Sequence, residues 1–69
     1  MANQYYVNKN AQSAGEHEVH KKGCNRSPLP ENRVSLGPHP GCHSAVRKAR
    51  EIYSNVDGCY WCCNSCHTR

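Results

Sequence analysis

The chain has 69 residues, 36% of them hydrophobic and none of them Phe, with a mean hydropathy of −0.93 and a net charge of +4. That allows one domain, spanning residues 1–69, with a core worth only about 3–5 kcal/mol. It excludes a membrane span. The N-terminus, Met1-Ala-Asn-Gln-Tyr-Tyr-Val-Asn-Lys-Asn10, also lacks the apolar run of a signal peptide, so a cytoplasmic location with no membrane partner is expected.

Residues Gln4 to Lys9 combine Tyr and Val and are prone to form a strand. Asn10 to Gly15 is small and polar and reads as a hairpin loop, with His17 to Lys21 as the return strand. The prolines of Ser27-Pro-Leu-Pro30 exclude regular structure there. Arg33-Val-Ser-Leu36 is a short third strand, and Gly37-Pro-His-Pro-Gly41 a rigid turn. From Cys42 the pattern turns helical: Ala45, Val46, Ala49, Ile52 and Tyr53 share one face, with Arg47, Lys48 and Arg50 opposite. Asn55 to Gly58 then ends the helix, since Asn and Gly accept the left-handed geometry of a cap. The expected fold is α+β: a two- to three-stranded antiparallel sheet, one main helix over residues 42–54, and a cysteine-rich knuckle.

The last eleven residues carry four of the six cysteines, in Cys59-Tyr-Trp-Cys62-Cys63-Asn-Ser-Cys66-His67. A core this thin needs a staple. Structural zinc contributes an apparent ~10–16 kcal/mol and a disulfide about 2–4 kcal/mol. In a reducing compartment, clustered cysteines usually signify metal. The pairs with ligand spacing are His20-x-x-x-Cys24 and Cys59-x-x-Cys62. Together they form a closed Cys₃His set, the chemistry of a single structural Zn²⁺.

The chain resembles the Ada-type metal-binding domain over Tyr6 to Cys62. The matching residues are Tyr6-Val-Asn-Lys-Asn10, His20-Lys-Lys-Gly-Cys24, Pro30-Glu-Asn-Arg-Val-Ser-Leu36, Ser44-Ala45 with Ala49, and Cys59-Tyr-Trp-Cys62. The resemblance implies a zinc site in a small α+β fold. In the DNA-repair members of that family the first ligand is a cysteine that also accepts a methyl group from a phosphotriester. His20 stands at that position here, which argues against methyl transfer.

Cys42, His43, Cys63, Cys66 and His67 are surplus to this pattern. Cys63-x-x-Cys66 offers a competing register, with zinc taking Cys63 and Cys66, or Cys62 and Cys66. A second metal, or a disulfide from Cys42 to Cys63 or Cys66, are the other uses; buried small hydrophobes are the plain one. Lys21, Lys22, Arg47, Lys48 and Arg50 can meet phosphates, and Trp61 can stack on a base. A solvated helix face explains the cations equally well.

Catalysis is not expected. Cys42 and His43 are adjacent and should diverge, whereas a nucleophile and its base must meet. The leading expectation is a non-catalytic zinc module that binds a protein or nucleic acid, as monomer or homodimer. A disulfide-stapled secreted or toxin-like protein, and a thiol redox or metal-responsive protein, are the alternatives.

Overall fold

In the computed structural model, which describes residues 2–68, the first strand follows directly from alternation. β1 (Asn3–Asn8) buries Tyr5 and Val7 and leaves Gln4, Tyr6 and Asn8 partly exposed. β2 (His17–Lys21) returns antiparallel, pairing Tyr5 with Lys21, Tyr6 with His20 and Val7 with Val19. Turn bonds from Gly15 N–H to Gln12 O (2.8 Å) and from Gln12 N–H to Glu16 O (2.9 Å) close the hairpin loop. A short 3-10 turn, Pro30–Asn32, leads into β3 (Arg33–His39), which lies antiparallel on the other side of β1.

β3 runs through Gly37 and Pro38, where a rigid turn is expected from sequence. The strand sits at the sheet edge, so the missing N–H of Pro38 breaks no ladder. Between Tyr5 and Tyr6 the register shifts: Tyr5 faces Gly37 and Tyr6 faces Ser35. Leu36 is the extra residue of this bulge, and its side chain is buried.

α1 (Cys42–Ala49) buries Cys42, Ala45, Val46 and Ala49, one stripe at helical spacing. These pack with Tyr5, Val7, Val19 and Leu36 into the core. The α+β class expected from sequence holds, but the helix is shorter than 42–54. Turn bonds carry the chain from Glu51 to Tyr53, and Ile52 is exposed rather than on the buried face. Tyr53 stacks on His17, with ring centroids 3.7 Å apart and planes within 6°. That contact draws the chain to the start of β2.

Asn55 and Gly58 do not cap the helix. No described residue other than Gly15, Gly23 and Gly37 has positive φ. Instead His17 N–H donates to Asn55 O (2.9 Å), and Val56–Gly58 forms β4. β4 pairs parallel with β2, matching His17 to Val56, Glu18 to Asp57 and Val19 to Gly58. The sheet is therefore four-stranded and mixed, in the order β3-β1-β2-β4. Three residues with one aliphatic side chain carry no period-two signal, so β4 is invisible in the sequence. The tail then makes a 3-10 turn, Asn64–Cys66, packed against α1 and β4. No helix among the described residues is long and apolar enough to cross a membrane.

Gly58 holds this junction together by having no side chain. A Cβ there would lie 2.7 Å from Cys66 Cβ and 2.8 Å from the Cys63 carbonyl oxygen, part of it immovable backbone. Gly58→Ala should cost about 1–3 kcal/mol through overpacking, read as a lower midpoint in urea denaturation.

Candidate metal centre

The parallel β2–β4 register builds the site. Val19 lies beside Gly58, so the next residues, His20 and Cys59, fall beside each other on one face. Cys59 N–H donates to Val19 O (3.0 Å), continuing the ladder by one step. Cys62 is folded back by a turn in which Cys63 N–H donates to Cys59 O (2.8 Å). Cys24 arrives through the turn after β2, closed by Cys24 N–H to Lys21 O (3.1 Å). That turn needs Gly23, whose φ of 92° is strained for residues with a Cβ.

The ligand atoms of His20, Cys24, Cys59 and Cys62 all lie within 4.8 Å of one another. Cys24 Sγ and Cys59 Sγ are 3.9 Å apart, as are Cys62 Sγ and His20 Nδ1. A tetrahedron with metal–sulfur bonds of about 2.3 Å has edges of about 3.8 Å. Two of the six donor separations match those edges and none exceeds 4.8 Å, so the four residues can hold a metal ion. Backbone N–H groups already face two of the sulfurs. Lys21 donates to Cys62 Sγ (3.2 Å) and Arg26 to Cys24 Sγ (3.4 Å).

His20 is 1% exposed, and burial pulls its imidazole down to about 4. The ring is therefore neutral at physiological pH, as a ligand must be. Burial pushes the Cys62 and Cys63 thiols up from their ordinary values. A metal must then displace protons from the sulfurs as it binds.

Sequence reasoning missed Glu18. Its carboxylate lies 3.3 Å from His20 Nε2, while Nδ1 of the same ring faces Cys62. A carboxylate behind a ligand histidine fixes the ring's tautomer and orientation. The signal was present as Glu-x-His on a strand, where residues two apart share a face.

The surplus residues go elsewhere. Cys42 and Cys66 form a disulfide, which removes Cys66 from either competing ligand register in this oxidised state. Cys63 is buried, with its sulfur 3.8 Å from that of Cys62, and is not part of the four-donor grouping. His67 Nδ1 bonds the Gly58 carbonyl (2.9 Å) and approaches Asp57 (3.5 Å). His43 is exposed on α1 with Arg47 and Lys48, Arg50 is exposed just after it, and Lys48 pairs with Glu51 (3.3 Å). Cys42 and His43 do not diverge: both ligand atoms lie within 4.8 Å of each other and of Cys66 Sγ.

Lys21 and Lys22 end the β2 strand and begin its turn. Trp61, between two donors, is 64% exposed rather than buried over the site, and Arg26 lies 4.7 Å above its ring. Both line a cleft of about 320 Å³ with Gly23, Asn25 and the donors Cys24 and Cys62.

Compared with known protein families, curated proteins and solved structures, the chain finds no match.

Glu18→Ala should weaken metal affinity about 10–100-fold without changing the stoichiometry, as read by competition with a chromophoric chelator. Since binding expels protons, wild-type affinity in the same assay should rise with pH across the neutral range. A pH-independent affinity would contradict thiolate ligation.

Proposed function

We propose that this chain is a small zinc-stabilised binding module with no catalytic role of its own. The observation that supports it is the convergence of four donors from two distant segments, their ligand atoms all within 4.8 Å of one another. Three thiolates and one imidazole form a closed shell, which suits a structural ion. Among common metals, zinc combines tetrahedral preference, affinity for thiolate and nitrogen, and redox inertness. Kinship with Ada-type domains rests on the shared ligand spacing, and His20 in the first ligand position leaves methyl transfer out.

The contact surface in this reading is the rim of the metal centre. Trp61 and Tyr60 are exposed there, and Lys22 and Arg26 are exposed cations close by in the chain. Three of the five acidic residues are drawn inward: Glu16 and Asp57 are buried and Glu18 is mostly so. An exposed indole beside cations suits a partner with stacked rings and negative charge, so single-stranded nucleic acid is favoured over a neutral protein surface.

Two experiments test the proposal. Native mass spectrometry should give one zinc per chain, and the denatured mass should fall two hydrogens short of the fully reduced chain. Cys24→Ser should abolish zinc binding and most of the cooperative thermal transition; wild-type melting would sink the ligand assignment. For the surface, fluorescence of the single tryptophan should be quenched by single-stranded oligonucleotides, with an affinity that falls steeply with salt. Quenching by acidic peptides alone would move the partner to protein.

A further inference from the structure

The second grouping of soft donors is Cys42, His43 and Cys66, whose ligand atoms lie within 4.8 Å of one another at the opposite end of the tail. In the oxidised chain two of the three are spent in the disulfide. A disulfide sulfur carries no negative charge and is a poor ligand; the thiolate is the ligand form. We propose that this is a reductively unmasked second metal site, closed as the Cys42–Cys66 disulfide and taking a zinc-class divalent ion through Cys42, Cys66 and His43 once reduced.

The steps balance. A dithiol reductant attacks one cystine sulfur, the Cys42–Cys66 bond breaks, and a mixed disulfide forms. Its second thiol releases the protein sulfur and closes the reductant's own disulfide. Two electrons pass to the protein, and two protons accompany them to give two thiols. A divalent ion then displaces both protons, and neutral His43 supplies the third donor.

Four observations carry this. First, hydrogen bonds independent of the disulfide also hold the tail. Thr68 N–H and Oγ1–H both donate to Asp57 Oδ1 (3.0 Å each), and His67 is bonded to Gly58 O. Asn64 Nδ2 also donates to the Tyr60 carbonyl (3.2 Å). These bonds survive reduction and would keep Cys66 opposite the helix. Second, Cys42 is the first residue of α1, and its sulfur lies 3.2 Å from Ser65 Oγ at the cleft. Third, Cys66 is partly exposed and lines a cleft of about 280 Å³ with His43 and Ser65, which admits both reductant and ion. That cleft leaves room for water or an outside ligand at the fourth position. Fourth, His43 is exposed, so it can turn without repacking the core. Arg50 lines the same cleft, but two thiolates cancel the ion's charge, so the guanidinium meets no net cation.

The test counts metal on the full chain in both redox states. Protein is reduced with a dithiol, freed of it under anaerobic conditions, reloaded with excess Zn²⁺ and desalted; an oxidised sample is treated in parallel. The proposal expects one equivalent more in the reduced chain than in the oxidised chain. It also expects His43→Ala and Cys66→Ser each to abolish that difference while keeping the oxidised chain's stoichiometry. Cobalt substitution should show added thiolate-to-metal absorption in the reduced wild type alone. An equal count in both states, or a reduced chain that loses its fold, overturns it. The first centre is judged separately: its failure removes the metal of the oxidised chain, whereas failure here removes only the increment.

Discussion

A parallel ladder of three residue pairs, His17–Val19 beside Val56–Gly58, joins the return strand of the hairpin to the segment after the helix. Everything cysteine-dependent follows from it. It sets His20 beside Cys59, turns the knuckle back over β2, and carries the tail onto α1. So short a ladder supplies little by itself, because a strand of this length makes few hydrogen bonds and buries one aliphatic side chain. It is held from outside, by the His17–Tyr53 stack before it, by Asp57 bonding Thr68 within it, and by the cysteines after it. Gly58 is the point where these constraints meet at backbone distance.

The two sets of sulfur chemistry make opposite demands. The four-donor centre needs reduced thiols; the Cys42–Cys66 bridge needs an oxidant. They coexist in one chain because the tail separates them. Cys62 is turned to the centre, Cys66 to the helix, and Cys63 is buried as a thiol between them. A disulfide and a donor set able to hold a metal, which look like rivals when only cysteine counts are considered, share eight residues of chain, Cys59 to Cys66.

Charge is divided as well. Buried or half-buried carboxylates cluster on β2 and β4, where Glu18 backs a donor histidine and Asp57 anchors the tail. Cations remain outside, on the turn after β2 and on the helix. The surface therefore presents more positive character than the modest net charge of +4 suggests.

What the sequence determined by itself was local. Tyr5 and Val7 alternate strongly enough to mark β1, the polar Gly-terminated stretch marks its hairpin, and the spacing of Ala45, Val46 and Ala49 marks the start of the helix. Donor spacing picked out His20, Cys24, Cys59 and Cys62, because a turn that points two ligands at one ion leaves a fixed interval in the chain. Tertiary structure decided the rest. The helix stops at Ala49 because Tyr53 finds His17, and β4 exists because β2 offers it an unpaired edge. Cys66 finds Cys42 because Gly58 lets the tail approach. Each of those outcomes depends on a partner far away in the chain, and a contact between distant residues has no interval for the sequence to display.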